Sequence, residues 1–326
     1  MADSDLPSLD AIREARERTA SVVRHTPMVP LHEHIGGEDI HLKLETQQAI
    51  GSFKIRGVFH AVSVLSDEER AKGVSTVSAG NTAQALAFAA RHYGVSSRSL
   101  MPDTAPKTKI DAVRAYGGEP VLVPVAEVFR YLKEHGWERE PYAFIHPWTN
   151  RNVMTGHGSL GLEIVDDLPG VSSVFVPVGG GGLLAGVGAA IKAVEPSVRL
   201  VAVEPEGCPA FHDSLEAGRP VEVDCQTFCD GVAVPYMTEE MFPLLQSLVD
   251  ETRLVSEARV KAMVRRLALD NKLVVEGSGA LAPAAALAES PAERGRTAAI
   301  VTGGSIDATK LAAILTDETV GAIAAG

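Results

Sequence analysis

Val174-Phe-Val-Pro-Val-Gly-Gly-Gly-Gly-Leu183 runs from an apolar strand through four glycines into an alanine-rich helix expected over 183–194. Glycine lacks a Cβ, so its backbone can turn tightly and approach a ligand closely. Each glycine in place of alanine costs roughly 0.4–1 kcal/mol through unfolded-state entropy. A turn needs one or two glycines, so four in a row ask for a second reason. Free N–H groups at a helix N-terminus, aided by the helix dipole, form an anion cradle. Gly179, Gly180, Gly181 and Gly182, with Leu183, are therefore read as holding a phosphate. A tight, closely packed strand–helix turn is the plainer alternative.

Outward from this stretch, short apolar runs recur, most of them ending at Gly, Pro or Ser. They are Val74–Val77, Ser99–Met101, Val121–Val123, Tyr142–Ile145, Val174–Val178, Leu200–Val203 and Ala298–Val301. Helical stretches such as Ala83–His92 and Lys109–Tyr116 fall between them. Val260, Met263, Val264, Leu267 and Ala268 mark one face of an amphipathic helix. Strands alternating with helices imply an α/β fold with parallel sheets covered on both faces. Ligands then bind beyond the carboxyl ends of the strands. Three such ends look alike: Val77 leads into Ser78-Ala-Gly-Asn81, Val178 into the four glycines, and Val301 into Thr302-Gly-Gly-Ser305. One ligand held from several sides accounts for all three.

The 326 residues suggest one large or two medium domains, and 45% apolar residues can build a substantial core. A net charge of −12 argues against nucleic acid or an anionic membrane as partner. Cys208, Cys225 and Cys229 are sparse and odd in number, which fits a reducing cytoplasm better than a disulfide framework. The N-terminal stretch lacks the apolar core of a secretory signal. The apolar stretch Val171–Ile191 is broken by Pro177 and the glycines, so it is read as strand, loop and helix, not as a membrane span. His32 and His34 are read as surface residues, and no metal site is expected. Lys107 and Lys109 are read as opening a solvated helix.

Lys54 lies in Gly51-Ser-Phe-Lys-Ile-Arg-Gly57, among Ile50, Phe53, Ile55 and Val58. Partial burial depresses a lysine pKa and makes it a usable base or amine nucleophile. Alone, a surface lysine is the better reading. The order of Ser-Phe-Lys54, Ser-Ala-Gly-Asn81, the tetraglycine loop and Thr302-Gly-Gly-Ser resembles the fold type II pyridoxal phosphate (PLP) enzymes. The nearest likeness is to the threonine and serine dehydratases and the serine racemases. Asp230-Gly-Val-Ala233 and Glu276-Gly-Ser-Gly-Ala280 support it. The resemblance implies two parallel-rich three-layer α/β/α domains of the tryptophan synthase β type, with the active site between them. The large domain would span 1–72 and 150–326, and the small domain 73–149.

In that family the lysine forms a Schiff base with PLP, which gives Lys54 the catalytic role. The resemblance further implies that the glycine loop holds the phosphate, Asn81 the ring hydroxyl and Thr302 the pyridine nitrogen. Phe53 and Glu276 would lie beside the cofactor. Ser78, Ala79, Gly80, Asn81 and Thr82 would hold the substrate carboxylate. The implied reaction is dehydration and deamination of a β-hydroxy amino acid, L-threonine or L-serine first, by a cytoplasmic homodimer.

Departures from the family pattern qualify this. Ala79 stands where racemases carry a second serine as the opposite-face base, so elimination is expected over racemisation. Ala210 stands where the racemase metal site has an acidic residue, six positions after Glu204. Phenylserine, hydroxyaspartate and a racemase activity stay open. An alternative of another class is an NAD-dependent oxidoreductase. Gly180-x-Gly182-x-x-Ala185 opens a helix, and Glu204 ends the next strand where a ribose-binding acid would stand. A non-catalytic binding module is a third reading. Gly156-x-Gly-x-x-Gly161 follows no strand and is read as a packed helix start.

Overall fold

The computed structural model describes residues 6–32 and 39–320; His34 lies outside them. Ten strands occur among these residues: β1 Met28–Pro30, β2 Ile40–Leu44, β3 Val74–Val77, β4 Ser97–Pro102, β5 Glu119–Val123, β6 Ala143–Phe144, β7 Ser173–Pro177, β8 Arg199–Pro205, β9 Glu251–Val255 and β10 Thr297–Val301. They form a six-stranded sheet, β1-β2-β10-β7-β8-β9, and a four-stranded sheet, β5-β4-β3-β6. Every ladder is parallel except β1 against β2.

Both faces of the large sheet are apolar, as parallel strands under helices require. Side chains alternate across a strand. Val174, Val176, Leu200, Ala202, Ala298 and Ile300 enter one core, shared with Leu160 and Ile164 and with Leu184 and Val187 of the helices Arg151–Asp167 and Gly182–Val194. Phe175, Val201, Val203, Ala299 and Val301 enter the opposite core with the helices Glu257–Leu269 and Gly277–Ala288. Beside the small sheet, the helices Lys54–Ser63 and Asn81–Tyr93 share an apolar cluster through Ile55, Val58, Phe59, Leu86 and Ala89.

Each apolar run expected as a strand forms one. Strands β1, β2 and β9 were not expected. In β2 the run is interrupted by His41 and Lys43. Lys43 is fully buried because Glu163 and Asp167 reach its ammonium at 2.9 and 2.7 Å. Gly156, Gly158 and Gly161 lie within the helix Arg151–Asp167, not at its start. A Cβ on Gly156 would sit 2.4 Å from the Arg56 carbonyl oxygen, so the glycine lets two helices touch.

The cysteine expectation is corrected. Cys208 and Cys225 form a disulfide, and Cys229 is free and buried. The chain turns back after the helix Ala210–Ala217, and the Gln226 N–H donates to the Gly207 carbonyl at 2.8 Å. That return places the two thiols side by side. No helix among the described residues is long and apolar enough to cross a membrane.

Candidate active site

The three loops singled out in the sequence converge on one cleft of about 280 Å³, lined also by Phe53 and Lys54. This is near the lower end for small-molecule sites. Backbone bonds stitch its floor together. The Phe53 N–H donates to the Thr302 carbonyl at 3.0 Å, Gly304 to Gly51 at 3.0 Å, and Glu276 to Gly303 at 3.1 Å. Lys54 opens the helix Lys54–Ser63, and its Nζ lies 4.9 Å from the centre of the Phe53 ring. Burial lowers its pKa to about 8, against an upward pull from Glu276. About a tenth of it is then neutral at pH 7, far more than for a solvated lysine.

The tetraglycine loop is closely packed, and it also faces the cleft. A Cβ on Gly180 would lie 2.3 Å from the Trp148 ring, and one on Gly179 would lie 2.9 Å from the Val232 Cα. One on Gly182 would meet the Trp148 backbone at 2.9 Å. Gly181 has φ +90°, which L side chains rarely adopt. Close packing alone therefore excludes side chains here. The same residues line the cleft and lead into the first turn of Gly182–Val194, where helical amides lack intrahelical acceptors.

A buried polar cluster lies beside Lys54. Asn81 Nδ2 donates to Glu276 Oε1 at 2.6 Å. Lys109 Nζ reaches Asp230 at 2.8 Å and Glu276 at 2.9 Å. Burial raises the Glu276 pKa above the ordinary carboxylate value, and Lys109 opposes it. Burial also pulls Lys109 down, but Glu276 and Asp230 more than reverse that and hold it protonated. Gly80 makes room for this lysine: a Cβ there would lie 2.3 Å from Lys109 Cδ. Lys109 is 1% exposed, which overturns its reading as a solvated residue. Lys107 is exposed and pairs with Asp111.

Ser78, Ala79, Gly80, Asn81, Thr82, Leu183, Glu276 and Thr302 all line the cleft, as do Phe53 and Lys54. Ser78 Oγ accepts the Gly80 N–H at 3.0 Å. Glu204 is elsewhere employed. Its carboxylate accepts the N–H groups of Phe211 and His212 at 2.9 and 2.8 Å, capping a helix, while burial pushes its pKa up to about 7. The acid on which the NAD reading relies is therefore already committed to backbone amides. Lys109, Asp230, Ser278 and Trp148 also line the cleft. Sequence reasoning gave the first three no role. Asp230 and Ser278 sat inside quoted motifs, so the motifs were the available signal.

The donor set fits a phosphorylated aromatic aldehyde. Asn81 Oδ1 and Ser278 Oγ are buried without partners, which a bound polar ring would relieve. A buried lysine with a lowered pKa, a glycine-lined helix N-terminus and unpartnered buried polar groups meet in one cleft of an α/β fold. Residues 20–303 match the pyridoxal-phosphate dependent enzyme family, and the chain belongs to it. It is 38% identical to an L-threonine ammonia-lyase of Thermotoga maritima over 92% of this chain and 76% of that one. It is 36% identical to a catabolic L-threonine dehydratase of Staphylococcus aureus over 94% and 92%. The fold matches maize serine racemase with a TM-score of 0.88 and 32% identity, covering 94% of this chain and 96% of that one.

Proposed function

We propose that this chain eliminates water from a β-hydroxy amino acid and releases a 2-oxo acid and ammonia. L-threonine and L-serine are the first substrates to test. The observation that carries this is the buried Lys54 in one cleft with the four glycines, where burial lowers its pKa. The relatives named threonine ammonia-lyase and dehydratase support it. When bound, pyridoxal phosphate supplies an electron sink that acidifies the Cα proton of an attached amino acid.

Lys54 offers the amine that holds the cofactor and, once displaced by the substrate amine, the base for the Cα proton. The loop of Gly179, Gly180, Gly181, Gly182 and Leu183 would hold its phosphate, Asn81 its ring oxygen and Thr302 its ring nitrogen. The Ser78–Thr82 loop would take the substrate carboxylate. Water lost from Cβ is regained when the enamine tautomerises and hydrolyses, so atoms balance. We further propose a small unit over 73–149 and a large one over 1–72 and 150–326, in a cytoplasmic homodimer.

The test is a coupled assay of 2-oxo acid and ammonia from L-threonine and L-serine, with chiral analysis of the residual serine. Ala79 offers no hydroxyl for the opposite face. Pyruvate is therefore expected far ahead of D-serine, and equal rates of the two would refute elimination as the main reaction.

A further inference from the structure

The cleft is lined by two unlike clusters. One is polar and already described. The other is an apolar wall on the helix Val125–Lys133, which turns Val125, Val128, Phe129 and Leu132 towards the cleft. Trp148 and Val234 extend it. The Tyr236 ring binds the wall together, 6.1 Å from Phe129 and 6.5 Å from Trp148 between centroids. Trp148 rests on Gly180, so the wall abuts the anion cradle.

Neither preferred substrate accounts for such a wall. Apolar contact needs heavy atoms within about 4.0–4.5 Å. Threonine offers a single methyl group for apolar contact, and serine offers none. A carboxylate on the substituent is disfavoured for a different reason. The cations lining the cleft are Lys54 and Lys109, and no arginine is among them. Lys109 already sits between Asp230 and Glu276, and Lys54 is committed to chemistry.

We propose that this wall is the subsite for the β-substituent, and that the cleft selects β-hydroxy amino acids bearing an uncharged aryl group there. The proposal rests on the elimination reading above. An aryl ring offers the edge-to-face contacts that the Phe129 and Trp148 rings favour, which a methyl group cannot.

The experiment supplies the holoenzyme with 3-phenylserine, L-threonine or L-serine and measures phenylpyruvate, 2-oxobutyrate or pyruvate. A methylene in an apolar pocket already discriminates by about 10–200-fold. The kcat/KM for phenylserine is expected at least about tenfold above threonine, with serine last. Threonine or serine equal to phenylserine overturns the subsite and leaves the elimination reading standing. No product from any of the three overturns both. Phe129→Asp should lower the phenylserine-to-serine ratio of kcat/KM by at least about tenfold. An unchanged ratio in that folded variant overturns the assignment of the wall.

Discussion

Two buried ion clusters, one built on Arg56 of the helix that Lys54 opens and one lining the cleft, differ in how completely they are satisfied. Arg56 is fully buried. It donates to Glu45 at 2.7 and 2.8 Å, to Glu163 at 2.7 and 2.8 Å, to Ser159 at 3.2 Å and to the Arg24 carbonyl at 3.2 Å. Lys43 joins through Glu163 and Asp167. The group of Lys109, Asp230, Glu276 and Asn81 lines the cleft and leaves Asn81 Oδ1 and the nearby Ser278 Oγ without partners. A closed network fixes a fold, whereas an open one keeps polar capacity in reserve for a ligand.

The comparison breaks most directly at Lys54. Lys54→Ala removes both amine and base, and turnover of any substrate should fall by about 10³-fold or more. Circular dichroism should be unchanged. Substantial activity in this variant would mean that the open cluster serves another chemistry.

Arg56→Met tests the closed cluster. It leaves Glu45 and Glu163 buried without their cation, a loss of about 3–5 kcal/mol. Thermal denaturation should show a large drop in Tm. A variant with normal Tm and lost cofactor affinity would place Arg56 with the cleft instead.

Lys109→Ala should show the opposite balance. Glu276 and Asp230 then face each other with their shared cation gone, but beside a cleft that water can enter. Turnover should fall by about 10²-fold through misplaced groups, with a smaller loss of Tm than for Arg56→Met. If Tm falls further than in Arg56→Met, the two clusters do not differ in kind.

The pH dependence of cofactor capture sharpens the picture with the smallest effect. Lowering the Lys54 pKa to about 8 enlarges its neutral fraction at any given pH below the ordinary lysine value. That fraction rises from about a tenth at pH 7 to about nine tenths at pH 9. The rate at which apoprotein captures pyridoxal phosphate should climb about tenfold over this window and then level. A rate still climbing steeply past pH 9 would show a solvated lysine.

The sequence announces the open site better than the closed one. Strands β3, β7 and β10 end at small residues that line one cleft, and a run of small residues after a strand leaves a local mark. The glycine loop carries it clearly, whereas Lys54 is legible only from the order of the motifs around it. Lys109 carries no such mark: its partners Asp230 and Glu276 are remote in the chain, so nothing nearby distinguishes it from exposed Lys107. Strand β2 was missed for the same reason, since Lys43 looks like a solvent residue until Glu163 and Asp167 are brought to it. The Cys208–Cys225 bond likewise depends on a chain reversal that spacing alone does not reveal. Trp148 reaches the cleft only because Gly180 and Gly182, in another segment, leave room for it.

The pairing of β2 with β10 has a consequence for synthesis. Ile40–Leu44 emerges early, yet one of its neighbours in the sheet is Thr297–Val301, and the Lys54 loop is pinned to Thr302 and Gly303. A nascent chain must hold that edge open through most of translation, exposed to the mispairing that long-range contacts invite. Lys54 is therefore among the first groups made and the last seated, so a truncated product ending before β10 would carry Lys54 and the four glycines without an assembled cleft.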